Sequence, residues 1–173
     1  MEEFSQLTSL AKMIRLLEPD WTEASLNILA HERQSEMTAA LLAGLGTDVR
    51  VQSSSGEYSN QLAIVKVAGN RYLLARDYRD VYIGEVNYCT CRITAGAHGV
   101  LVYHIDYPGV IYDVSRILAE NQLNISKLNV SREQKGKNAL LISLTDEQID
   151  PQVIAALNHL PNVTRVLPLP TVV

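Results

Sequence analysis

From Gly99 onward the hydrophobic positions switch between a period of two and a period of 3.6, the signatures of strand and helix. Gly99 to Ile105 alternates, so the spacing predicts a strand with Leu101, Tyr103 and Ile105 on one face and Val100, Val102 and His104 on the other. Asp106-Tyr107-Pro108-Gly109 breaks it, and Pro108 suits the approach to a first helical turn. Val110, Ile111, Val114, Ile117 and Leu118 then form the apolar stripe of an amphipathic helix that Asn121 or Asn124 can end. Ile125 to Arg132 alternates as a second strand, Glu133 to Lys137 is a polar turn, and the apolar run Asn138 to Leu144 reads as an interior strand paired with it as a hairpin. Asp150 and Pro151 open a helix carrying Val153, Ile154, Leu157 and Leu160; Pro161 closes it, and Val163 to Leu167 is a last strand. Strand, helix, strand, strand, helix, strand is the ferredoxin-like order, one antiparallel sheet covered by two helices.

The earlier part is less regular. Phe4, Leu7, Leu10, Ile14 and Leu17 predict a helix stopped at Pro19, and a second helical tract is expected from about Thr22 to Leu45, weak near Gln34 and Ser35 and ended by Gly44 and Gly46. Strands are expected at Asp48 to Gln52, Gln61 to Val67 and Arg71 to Arg76, with a turn at Ser53 to Gly56 and a hairpin at Gly69-Asn70. Asp80 to Thr94 holds one or two more. The predicted fold class is α+β: a ferredoxin-like βαββαβ domain over residues 98–173, preceded by a smaller α+β domain over 1–97, helical in 1–46 with antiparallel strands in 48–94. Ala95 to His98 joins the two with little slack, and no internal repeat is present.

Composition narrows the function classes. With 47% hydrophobic and 20% charged residues the 173-residue chain can bury a core. A net charge of -4 leaves no basic surplus for phosphates, so nucleic acid is not an expected partner. No run approaches the ~18 apolar residues of a membrane span, and Met1-Glu2-Glu3 is acidic where a secretory leader is basic. The expectation is a cytoplasmic protein without a membrane partner. Two cysteines, Cys89 and Cys91, suit a reducing compartment and fall short of a four-ligand metal site unless His98 and a further group join them. No metal and no cofactor are expected: Gly44-Leu45-Gly46 follows a helix, the reverse of a dinucleotide loop, and phosphate-loop, nucleophile-elbow and zinc-protease motifs are absent. Arg132, Lys135 and Lys137 read as solvated charge in a hairpin, and His31 and His159 carry no assignment.

The most informative segment is His104-Ile105-Asp106-Tyr107-Pro108-Gly109-Val110-Ile111. Spacing of two puts His104 and Asp106 on one face where a helix begins, offering unpaired N–H groups and the positive end of a dipole. A carboxylate gains about 0.3–1 kcal/mol there, and Gly109 lets it approach the backbone. An amino-acid zwitterion fits, with its carboxylate on the amides and its ammonium near Asp106. The alternative is that Asp106 merely caps the helix and His104 is a half-buried strand residue.

The run Asp106 to Ile111, with Leu123-Asn124-Ile125-Ser126, Arg132 to Gly136 and Leu160-Pro161-Asn162-Val163, resembles an ACT domain, an amino-acid-sensing regulatory module. It is most similar to the carboxy-terminal ACT domain of the D-3-phosphoglycerate dehydrogenase family. Gly56 to Asn60 and Asn87-Tyr88 resemble the intervening domain of that family's long form, and the β part of iron-sulfur L-serine dehydratases has a related layout. The resemblance implies regulation by L-serine held between two ACT domains of a homodimer or tetramer, at positions that match His104, Asp106 and Asn124; with the helix start read above, the expected ligand-binding residues are these three and Pro108, Gly109, Val110 and Ile111. Tyr107 stands where the family commonly has Arg. The dehydrogenase's nucleotide-binding and catalytic segments have no counterpart in this sequence, so the expectation is a non-catalytic serine-biosynthesis regulator with no catalytic residues. Rival readings are an assembly domain without ligand, a thiol redox protein acting through Cys89 and Cys91, and a serine dehydratase subunit.

Overall fold

A computed structural model describes residues 2–54 and 60–172. The expected turn at Ser53 to Gly56 and the Gly56 to Asn60 motif fall largely outside the described residues. The chain forms two compact units, one built on the chain up to Gly96 and the other on Ala97–Thr171.

In the first unit, helix α1 (Glu2–Leu17) buries Leu7, Leu10, Ala11, Met13, Ile14 and Leu17. Strand β1 (Ser25–Ile28) follows, then helix α2 (Gln34–Leu45) and strands β2 (Arg50–Ser53), β3 (Gln61–Val67), β4 (Asn70–Arg76), β5 (Val81–Val86) and β6 (Cys89–Ile93). They form a six-stranded sheet in the order β2-β1-β3-β4-β5-β6. Three expectations are corrected here. The tract from Thr22 to Leu45 is not one helix: Leu26 and Ile28 are fully buried in a strand that pairs with β3, and α2 starts only after Arg33, which sits at φ 54°. The sheet is also mixed, because β2 runs parallel to β1 with α2 as the crossover. Gly44 does not end α2 but lies inside it, where a Cβ would collide with the Thr8 carbonyl and Ala11; Gly46 is the cap, at φ 94°. The α1/α2 crossing is fastened by the Thr8 hydroxyl, which donates to the Ala40 carbonyl at 2.7 Å.

The second unit contains β7 (His98–Ile105), α3 (Val110–Glu120), β8 (Ile125–Arg132), β9 (Asn138–Thr145), α4 (Pro151–Asn158) and β10 (Val163–Pro168). Its four strands lie in the order β10-β7-β9-β8, all antiparallel, which is the expected βαββαβ fold. Val100, Val102 and Leu141 on one sheet face pack with Val110, Val114, Ile117 and Leu118 of α3 and Val153 and Leu157 of α4. Ile111 falls off this stripe and is 48% exposed, since one residue turns the helix by about 100°. The order leaves β8 on an edge of the sheet, with Val130 and, on α3, Tyr112 exposed.

Candidate functional site

The carboxyl end of β7 and the start of α3 meet at one corner of the second unit. His104 ends the row of helix-side residues on β7 and is 1% exposed. Its Nδ1 lies 3.1 Å from the Ile105 carbonyl, and its Nε2 is buried without a hydrogen-bond partner among the described residues. Such a group loses its hydration with nothing in exchange, which costs about 1–3 kcal/mol. The His104 ring also meets the edge of Tyr107, centroids 6.2 Å apart. The Tyr107 hydroxyl donates to Asp113 Oδ2 at 2.9 Å, so Tyr107 packs back onto the first turn of α3. Burial first, and the Asp113 hydrogen bond second, push its phenol up to about 12.

Gly109 precedes α3 at φ 96°, a left-handed conformation that favours glycine, and no side chain caps the helix. Among the described residues nothing lies within 4 Å of the position a Gly109 Cβ would take. The capping role weighed for Asp106 is absent. Its backbone N–H donates to the Lys137 carbonyl at 2.7 Å, and its Oδ2 accepts from the Arg132 guanidinium at 2.8 Å and the Gly136 N–H at 3.1 Å. The Gly136 amide, then Arg132, hold its carboxyl below the usual range. Arg132, which the sequence reads as solvated charge, therefore joins Asp106 at the candidate site. Its partner lies 26 positions away, and only the hairpin register brings the two together.

Asn124 sits elsewhere. Ile125 pairs with Thr145, which pairs with His98, whereas Arg132 pairs with Ala139, which pairs with His104. Asn124 thus lies at the far end of the sheet from His104, about 20 Å away at ~3.3 Å per residue. There its side-chain amide donates to Asp146 Oδ2 at 2.7 Å and its backbone N–H to Glu147 Oε1 at 2.8 Å. Within one chain His104, Asp106 and the α3 start come together with Pro108, Gly109, Val110 and Ile111, and Asn124 does not join them.

Other sequence candidates offer less. Cys89 and Cys91 are buried on one face of β6, and burial pushes the Cys89 thiol up to about 11, away from the reactive thiolate. No three His, Cys, Asp or Glu side chains among the described residues are grouped to hold a metal. None of the described helices is long and apolar enough to cross a membrane.

Comparison with known proteins adds four findings. Residues 98–162 match the family model of the ACT domain. The chain is 29% identical over 128 residues to D-3-phosphoglycerate dehydrogenase of Bacillus subtilis (strain 168), a match covering 71% of this chain and 24% of that protein. It is 31% identical over 86 residues to the probable L-serine dehydratase, beta chain, of the same organism, covering 50% of this chain and 39% of that one. The chain therefore spans about a quarter and about two fifths of these relatives. Among solved structures, the ACT domain from GTP pyrophosphokinase of Chlorobium tepidum aligns over 42% of this chain and 84% of its own, with a TM-score of 0.34 and 15% identity.

Proposed function

With an ACT domain at residues 98–162 as the premise, we propose that this chain is a non-catalytic regulatory module that binds a small amino acid, L-serine first, at the corner between β7 and α3. The observation that carries the reading is the buried His104 Nε2, left without a partner beside an uncapped helix start. A ligand hydroxyl or carboxylate can satisfy such atoms, and the helix dipole favours its negative charge. L-serine is preferred because one relative is named for it and because the resemblance of His104, Asp106 and Asn124 to the serine-binding positions points the same way. Asn124 completes the site from a second copy: antiparallel pairing of two β8 edges across a twofold axis sets the Asn124 end of one strand beside the Arg132 end of the other.

The ligand acts by population shift, biasing a host or partner enzyme only through its differential affinity for two arrangements. The test is thermal unfolding with and without L-serine. At 100 times Kd the ligand adds about 2.7 kcal/mol and the midpoint rises by several degrees. Asp106→Ala with Asn124→Ala abolishes that rise while circular dichroism stays native. No rise with any of the twenty amino acids refutes the reading. One observation favours a ligand-free assembly domain instead: Asp106 already holds an internal counter-ion, Arg132. Light scattering that shows a dimer, with calorimetry that shows no amino-acid heat, would select that alternative.

A further inference from the structure

We propose that Arg132 holds the ligand's carboxylate and that Arg132 and Asp106 together form a dipolar pair selecting molecules that carry an ammonium and a carboxylate on one carbon; this rests on the amino-acid reading above. Both bonds that Asp106 accepts end on Oδ2, which leaves Oδ1 without a bond among the described residues. Arg132 spends one nitrogen, Nη1, on Asp106; Nε and Nη2 make no bond to the described residues. The guanidinium is half exposed while the Asp106 side chain is 21% exposed, so the cation faces outward from a carboxylate that is already held.

The sheet register aligns this pair with the histidine. Arg132, Ala139 and His104 are successive partners across β8, β9 and β7, so they share one face in one row. The middle member is an alanine, which contributes only a methyl group. Arg132 and His104 therefore stand on either side of Ala139, two strand spacings or roughly 10 Å apart from Cα to Cα; Ala139 and His104 are buried, so the exposed end of this row is Arg132, beside Asp106. A zwitterion laid there sets its ammonium on Asp106 Oδ1 and its carboxylate on the free guanidinium nitrogens, which prefer a two-pronged acceptor. The His104 Nε2 remains for a side-chain hydroxyl. The pair is neutral overall, so it gives no general attraction for anions or cations. A hydroxy acid can give Asp106 only a neutral O–H bond in place of the charge-assisted bonds of an ammonium, and an amine would meet the guanidinium with no carboxylate to accept its hydrogen bonds.

The test is calorimetry on the full chain with three probes: L-serine, glycerate, which replaces the ammonium by a hydroxyl, and ethanolamine, which lacks the carboxylate. The parent binds L-serine at least about tenfold more tightly than either of the other two. Arg132→Gln weakens L-serine about 10- to 100-fold but leaves ethanolamine binding unchanged or improved, so the gap between them narrows; Arg132→Lys recovers part of the loss. A merely structural role for Arg132 would weaken every probe alike, and that outcome overturns the proposal, as does Arg132→Gln binding L-serine as tightly as the parent. In that last case the amino-acid function stands and only this inference fails. A parent that binds none of the twenty amino acids refutes both. Unfolding midpoints without ligand identify any variant that has lost its fold.

Discussion

At the scale of single residues, much of the chemistry is decided by which acceptor a side chain finds. Asp77 shows this outside the candidate site. Its Oδ1 accepts the backbone N–H groups of Asp80 and Arg79 at 2.9 and 2.8 Å, and Arg92 approaches its Oδ2 at 3.1 Å. The Asp80 amide, the Arg79 amide and then Arg92 lower its pKa to about 2, against an ordinary value of ~3.9. A folded-state value below the unfolded one means stability that is present above pH ~4 and lost as the pH falls toward the folded value. Asp77→Ala is therefore expected to lower the unfolding midpoint at pH 7, with the gap to the parent closing between pH ~4 and ~2; a gap independent of pH would contradict this. In the second unit the contrast between His104 and Arg132 separates what was legible from what was not. The strand end and the polar pair His104/Asp106 follow from spacing. The Asp106–Arg132 bond depends on how the β8–β9 hairpin closes, which no local pattern encodes. Tyr107 was legible as a departure from the family pattern, but its turn toward Asp113 was not.

At the scale of elements, agreement follows the length and cleanness of the periodicity. α3 and β9 announce themselves because one presents a sustained apolar stripe and the other a nearly continuous apolar run. β1 spans four residues, too few to separate a period of two from 3.6, and its Leu26 and Ile28 fit a helix as readily as a strand. What makes it a strand is pairing with β2 and β3, contacts remote in sequence. β2 is harder still, since all four of its residues are exposed and show no burial alternation. Gly44 illustrates a related blind spot: a glycine late in a helical tract reads as a stop, whereas here it is a point where α2 packs too tightly on α1 to admit a Cβ. Gly44→Ala offers better helix propensity, worth about 1 kcal/mol, but drives a methyl into the Thr8 carbonyl and Ala11. Overpacking of ~1–3 kcal/mol wins, so denaturant unfolding should show a net loss. A neutral or stabilised Gly44→Ala variant would mean that the two helices are not held at this crossing.

At the scale of the whole molecule, the sheet register of the second unit separates residues that the family resemblance puts in one site. His104 and Asp106 stand at one end of the sheet and Asn124 at the other. On the proposed reading, one chain therefore holds two half-sites, and the ligand site forms when two chains meet. The proposal then makes ligand binding and dimerisation linked equilibria: ligand is expected to favour the dimer, and dilution to weaken apparent affinity. The same separation yields a decisive experiment by subunit mixing. Asp106→Ala chains and Asn124→Ala chains each form dimers with no complete site. When the two are unfolded together and refolded, each mixed dimer carries one site with both residues intact and one with neither. L-serine calorimetry on the mixture is the direct measurement. The account predicts no binding by either variant alone and, after mixing, recovery of parental affinity at one site per mixed dimer. Binding by either variant alone at parental strength, or no recovery on mixing while the parent binds, would contradict it.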